Sequence, residues 1–179
     1  MRGMTLQILI VLSYTNTCSG STLVMRRWCT GRRVSQQEKR VKHIRPVLTV
    51  HDIDATIAFY RDVLGFPEAS AVRGPDGKPV HGMARSGAVV LDFAPAGDCP
   101  HCVPPWGNGV DLYIGVEGDI DQYRDTVVRA GASVVTDLQT QFWGDRTFTI
   151  ADPNGYHLTF YQTVRTVSLE EIQQALASS

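Results

Sequence analysis

The sequence predicts an α+β fold built from two β-α-β-β-β modules, and three observations point there. The chain repeats itself: His51-Asp52-Ile53-Asp54 is answered by Gly118-Asp119-Ile120-Asp121, Leu64-Gly65 by Ala130-Gly131, and Leu91-Asp92-Phe93 by Leu158-Thr159-Phe160, at an offset of about 67 residues, too long for a solenoid repeat. Each copy runs from a β-branched stretch into a capped amphipathic one, then into three strand-like stretches divided by turn residues. A loop with many Pro and Gly residues separates the two copies.

In the first module, Ile44 to Val50 reads as a strand. Asp52 then caps a helix whose apolar Ile53, Ile57, Tyr60 and Leu64 share one stripe, and Gly65 stops it. Gly74-Pro75-Asp76-Gly77 places Pro and Gly where a type I turn takes them, joining the second and third strands, and Ser86-Gly87 turns into a fourth, Ala88 to Ala94. The second module repeats the order with strand Val110 to Val116, then a helix from Asp119 to Ala130 with Ile120, Tyr123 and Val127 inward and Gly131 as its stop. Three strands follow, the last hairpin turning at Asp152-Pro153-Asn154-Gly155. Ser168-Leu169-Glu170-Glu171 is a capping box that opens a short C-terminal helix, expected on the outside. The expected boundaries are an extension over 1–40, a paired domain over 41–163 (module one 41–94, linker 95–108, module two 109–163) and a tail over 164–179.

Composition narrows the function classes. With 179 residues and 43% hydrophobic content, the chain can bury one well-packed domain or two small modules sharing a core. A net charge of -1 supplies no basic field of the kind that nucleic acid or an anionic membrane demands. No apolar run approaches the roughly 20 residues needed to span a bilayer. Nucleic acid and membrane are therefore not expected partners.

Residues 1–37 contain no acidic side chain, hold a short apolar run from Leu6 to Leu12, and continue into a basic stretch with Arg26, Arg27, Arg32 and Arg33. A secretory signal, an organellar presequence and an unstructured extension with Met25 as an internal start compete for this region. The extension is the favoured reading, and the expected location is cytoplasmic, with secretion and organelle import left open. Of the four cysteines, Cys99 and Cys102 form a C-x-x-C with Pro100 and His101, but Pro104 and Pro105 follow, so no helix can start there to lower a thiol pKa. A second pair that would complete a zinc site is missing, and an ordinary loop with exposed thiols is expected.

Side chains alternate across a strand, so each strand divides into two faces. Val110, Leu112, Ile114 and Val116 stand against Asp111, Tyr113 and Gly115, and Leu158 and Phe160 against His157, Thr159 and Tyr161. In module one Ile44, Leu48 and Val50 oppose His43, Arg45 and Thr49, and Val89, Leu91 and Phe93 oppose Asp92. The apolar faces belong beneath the helices; the others are either solvated or line the concave side of a curved sheet. Arg45 is equivalent to Asp111 and Asp92 to Thr159, and a pseudo-twofold arrangement would converge these four on one small-molecule cavity.

The run from Asp52 through Phe59-Tyr60 to Leu64-Gly65-Phe66, and the run Phe142-Trp143-Gly144-Asp145-Arg146 through Phe148 to Asp152-Pro153-Asn154-Gly155-Tyr156, resemble the vicinal oxygen chelate superfamily. That superfamily includes glyoxalase I, extradiol dioxygenases and the bleomycin resistance proteins, and the resemblance covers about Val41 to Thr163. It implies paired modules forming a cupped, barrel-like mixed sheet around a small-molecule site. Its metal-holding members place His, Glu, His or Gln, and Glu on the inward faces of the first and last strands of each module. Those positions carry over onto Arg45, Asp92, Asp111 and Thr159. Arginine cannot shed its proton to ligate a cation and threonine is a poor ligand, so no metal cofactor is expected.

The pattern is closest to the metal-free, bleomycin-resistance-like branch, which implies a cavity that sequesters a drug or toxin without transforming it. Arg45 would form a salt-bridged cluster with Asp92 and Asp111. Trp106, Tyr113, Phe142, Trp143 and Tyr161 are candidate walls for a planar or cationic ligand, with core packing as the alternative for each, and Thr49, His157 and Thr159 complete the candidate ligand-binding set. Two enzyme readings compete: a lyase, isomerase or dioxygenase holding Zn, Ni, Mn or Fe on the shifted set His43, Asp92, Asp111 and His157, and a metal-free enzyme with Asp92 or Asp111 as general base. A homodimer is the expected assembly.

Overall fold

The computed structural model describes residues 43–97 and 102–178; the N-terminal extension over 1–40 and the C-x-x-C run apart from Cys102 lie outside the described residues. Module one comprises β1 (Val47–Val50), α1 (Ile53–Ala58), β2 (Glu68–Arg73), β3 (Pro79–Ser86) and β4 (Val89–Pro95). Module two comprises β5 (Asp111–Gly115), α2 (Ile120–Arg129), β6 (Ser133–Thr140), β7 (Asp145–Ala151) and β8 (His157–Thr163), and α3 (Leu169–Ala177) follows. The α+β fold is thus the one the repeat predicts. Each module makes one four-stranded sheet, ordered β1-β4-β3-β2 and β5-β8-β7-β6, so the first strand of each lies at an edge. In both sheets that edge strand runs parallel to its neighbour and the remaining pairs are antiparallel. The sheets are cupped and do not close into a barrel.

One face of each sheet packs beneath its helix. Leu48, Val50, Leu91 and Phe93 of sheet one, with Ile53 and Ile57 of α1, and Phe148, Ile150, Leu158 and Phe160 of sheet two, with Ile120 and Val127 of α2, are all buried. Burial of each such side chain contributes about 1.5–3 kcal/mol before chain entropy is subtracted. Helix α1 sits so close to β3 that a Cβ at Gly82 would come within 2.8 Å of the Ile53 side chain. Glycine is what permits that approach.

Three local expectations need correction. The first strand begins at Val47, not Ile44, and Ile44 is 86% exposed instead of lying beneath a helix. The cause is Pro46, which has no N–H to give; its carbonyl accepts from Asp92 N–H at 3.0 Å, and regular pairing starts only beyond it. Val110 likewise falls just outside β5 and is half exposed. Finally, the helix from Asp52 is not uniform: after Ala58 it widens into a π-helical turn, Phe59–Val63, closed by Leu64 N–H donating to Phe59 C=O. Asp52 does cap the helix, through Ala55 N–H, and Gly65 ends it at φ +72. The Ser168–Glu171 capping box is present, and α3 has no buried residue.

The two modules of one chain are joined through the Asp152-Pro153-Asn154-Gly155-Tyr156 turn. The Tyr156 hydroxyl accepts from Thr49 N–H at 3.0 Å and donates to Thr49 C=O at 3.1 Å. Asn154 Oδ1 accepts from His51 N–H, and Asn154 Nδ2 donates to Thr56 Oγ1, both at 3.0 Å. The Tyr60 hydroxyl, inside module one, reaches Asp152 Oδ2 at 3.4 Å. Burial pushes the Asp152 carboxyl above the usual carboxylate range, against the pull of the Tyr156 and Asn154 N–H groups. Burial, with that carboxylate beside it, also holds the Tyr60 phenol well above its ordinary value.

Candidate functional site

Beneath the helices the sheets are apolar; on the reverse face they carry the polar residues that the sequence singles out. The register sets Val47 opposite Asp92 and Thr49 opposite Ala94 in sheet one, and Tyr113 opposite Thr159 and Gly115 opposite Tyr161 in sheet two. Asp92 and Thr159 are buried, while Arg45 and Asp111 are exposed. The equivalences drawn from the repeat therefore hold as positions in the two sheets.

Each module satisfies its own polar pair. In sheet one, Arg45 donates to Asp92 Oδ1 at 2.6 Å, and His81 Nε2 lies 3.2 Å from the same oxygen. In sheet two, the Thr159 hydroxyl donates to Asp111 Oδ1 at 3.1 Å and shares a 2.9 Å hydrogen bond with Thr149. Arg45 bonds Asp92, and its expected partner Asp111 is instead held by Thr159. Thr49 is half-buried, with its backbone engaged by Tyr156.

The four positions onto which the resemblance carries a metal set make a poor donor set for a cation. One is a guanidinium already bonded to the neighbouring carboxylate, and another is a hydroxyl, so the donor chemistry is wrong at two of the four. Of the shifted set, His43 and His157 are exposed, Asp111 and His157 stand opposite each other in the β5–β8 register, and Asp92 lies in the other sheet. Among the described residues no three His, Cys, Asp or Glu side chains gather as a metal ion would require.

The aromatic candidates separate. Trp106 is buried, its ring 4.1 Å from that of His51 and its indole donating to Cys102 C=O at 3.0 Å, so it packs in the core. Tyr113 and Tyr161 stack at 4.4 Å and 16° on the polar face of sheet two. Phe142 and Trp143, in the turn between β6 and β7, meet edge to face at 4.9 Å. The half-buried Asp145 ties these groups together: Tyr113 donates to Oδ2 at 2.9 Å, Trp143 Nε1 to Oδ2 at 3.2 Å, and Thr163 to Oδ1 at 2.7 Å. Burial raises the Tyr113 phenol far above its ordinary range, the Asp145 carboxylate adding to the effect while the Trp143 indole opposes it. Tyr113 is a neutral hydrogen-bond donor.

Two residues of the polar faces escape a reading confined to the first and last strand of each module. His81 lies on β3, two residues from Met83, which pairs with Asp92; alternation along β3 against the buried Gly82 and Ala84 was the available signal. Asp145 begins β7 and alternates with Thr147 and Thr149 against the buried Phe148 and Ile150. A shallow depression lined by Arg124, Asp125, Val128 and Arg129 lies on α2, on the helix side of sheet two, and Arg124 there is already paired with Asp137.

Fold and site together define a two-module protein with a cupped, polar and aromatic face. The family model of the Glyoxalase/Bleomycin resistance protein/Dioxygenase superfamily matches residues 40–160, and the chain belongs to that superfamily. It is 37% identical over 139 residues to the uncharacterized protein Mb0911c of Mycobacterium bovis, across 74% of this chain and 91% of that one. Among solved structures, TioX from Micromonospora sp. ML1 superposes with a TM-score of 0.56 at 23% identity, covering 68% of this chain and 98% of TioX. A glyoxalase/bleomycin resistance protein/dioxygenase from Nocardioides gives a TM-score of 0.58 at 18% identity, covering 75% of this chain and 93% of its own. At these identities the two solved structures show a common fold.

Proposed function

We propose that this protein binds a small organic molecule on its polar, aromatic faces without a metal and holds it without transforming it, with sequestration of a drug or toxin as the corresponding role. The observation that supports this reading most is the internally bonded polar pair in each module. Arg45–Asp92 and Asp111–Thr159 occupy the positions onto which the resemblance carries a metal set, and within each pair the two side chains are bonded to one another. Electrophilic activation of a substrate would need a different donor set. The described residues include no helix long and apolar enough to cross a membrane. Cytoplasmic location and a homodimer belong to the same proposal; Val47 and Val72, exposed on the polar face of sheet one, offer a second copy apolar surface to bury.

The test is a ligand screen on the full chain after chelator treatment, read by calorimetry and by product analysis. Tight binding without turnover, unchanged by the chelator, is the expected result. Turnover that appears when nickel, zinc, manganese or iron is restored would overturn it in favour of a metal-dependent lyase, isomerase or dioxygenase. Elemental analysis of the protein as isolated, repeated on His157→Ala, then decides whether the shifted set holds that ion.

A further inference from the structure

The internal repeat supplies a control for deciding which polar-face residues the fold itself requires. Asp92 and Thr159 mark equivalent points of the two sheets, and the registers then pair Tyr113 with Val47 and Tyr161 with Ala94. Counting along β3 and β7 from Met83 and Thr149, which face those two points, pairs Asp145 with Pro79. Module one thus builds the same sheet with Val47, Ala94 and Pro79 where module two carries two stacked tyrosines and a carboxylate. Sheet formation does not call for the aromatic and acidic set.

Three neutral groups donate to Asp145, and a carboxylate offers about four acceptor directions, so one remains. Among the described residues no Lys, Arg or His pairs with it. Beside it, Tyr113, Tyr161, Phe142 and Trp143 are all half-buried, leaving ring surface within reach of solvent. Aromatic faces attract cations through their quadrupole, and a carboxylate at their rim supplies the matching charge. An anionic ligand would meet Asp145 unfavourably, and a neutral one would leave its charge uncompensated.

From this arrangement we infer that the end of sheet two around Asp145 is a recognition site for an organic cation bearing an aromatic or quaternary ammonium group. The Tyr113–Tyr161 stack is its contact surface, and the Asp145 carboxylate, preorganised by Tyr113, Trp143 and Thr163, is the counter-charge. The inference rests on the small-molecule-binding reading and assigns that reading a ligand class and an anchor residue.

The experiment titrates the full chain with phenyltrimethylammonium and with its neutral isostere tert-butylbenzene, following the Trp143 indole N–H resonance. The cation should bind about tenfold more tightly than the isostere, and added salt should erode that advantage. Asp145→Asn, checked for an unchanged melting profile, should bring the cation down to the affinity of the isostere. Tyr161→Leu keeps the carboxylate and should weaken both probes. Equal affinities in the parent protein, or a cation preference that survives Asp145→Asn, would overturn the inference while leaving the broader binding reading standing. Failure of both probes in the parent protein would also overturn it, and the chelator-treated screen would then judge the broader reading on its own.

Discussion

Tyr156→Phe tests the joint between the modules at one atom. Strand β1 is an edge strand, and Pro46 and Val50 turn their carbonyls to β4, so Thr49 directs its N–H and C=O away from the sheet. A single hydroxyl from module two closes that edge by accepting from one group and donating to the other. Tyr156 is 7% exposed, and phenylalanine keeps the ring and removes only the oxygen. Two hydrogen bonds at about 1 kcal/mol each, and two backbone groups left without partners, put the loss at about 1–3 kcal/mol. For a chain of this size that is roughly 2–4 °C in Tm per kcal/mol. Urea denaturation should show a lower midpoint at constant slope, and hydrogen exchange should show the Thr49 amide losing protection before the amides of β4. A change under about 0.5 kcal/mol, which is the scatter of surface substitutions, with Thr49 still protected would refute the account of the joint.

Three further perturbations read other parts of the structure. Gly144→Ala should destabilise by about 2 kcal/mol or more and shift the Trp143 resonances, because Gly144 has φ +99 and a Cβ there would run into the Arg165 carbonyl; thermal melting and NMR check it. Burial pushes the Tyr123 phenol up to about 12, so the neutral ring favours the folded state: its contribution is complete below the ordinary tyrosine value of 10.0 and is lost as pH rises from there through the folded value. Denaturation midpoints should fall across that window, and Tyr123→Phe, which also gives up the 3.0 Å bond to Leu64 C=O, should flatten the fall. The double variant Arg45→His, Thr159→Glu replaces the two non-ligating side chains, and nickel should raise its melting temperature while leaving the parent unmoved; an equal rise in both would refute the assignment of those positions.

The sequence carried the architecture because the devices that build it are local. Helix caps at Asp52 and Asp119, glycine stops at Gly65 and Gly131, and proline–glycine turns each act within a few residues, and the repeat doubles every signal. Pro46 was equally local, and its effect on the start of β1 could have been read from its missing N–H. The site was less legible because its bonds cross strands. Alternation correctly put Arg45 and Asp92 on one face, but whether Arg45 would meet Asp92 or Asp111 depends on how two sheets dock, which no single-strand pattern encodes. Trp106 shows the same limit: an aromatic residue in a Pro- and Gly-rich linker reads as a wall candidate, yet the turn folds it into the core against His51.

The two modules also separate what the fold needs from what it tolerates. Both keep an apolar inner triplet with a polar residue in the middle, Leu91-Asp92-Phe93 and Leu158-Thr159-Phe160, and both bury all three. The flanking pair, Leu and Phe in both copies, packs beneath the helix. The central residue faces the other way and differs, as does its partner, which lies just before the edge strand in one copy and on it in the other: an ion pair in module one, a hydroxyl–carboxylate bond in module two. Were the polar face merely solvated, the central residue would be exposed; instead Asp92 is 5% and Thr159 9% exposed. A buried polar group costs stability unless it is bonded, so each copy carries its own bonded solution. The centre of each polar face is therefore buried and bonded, and its chemistry varies independently of the scaffold; in module two that variation extends to the stacked tyrosines and Asp145.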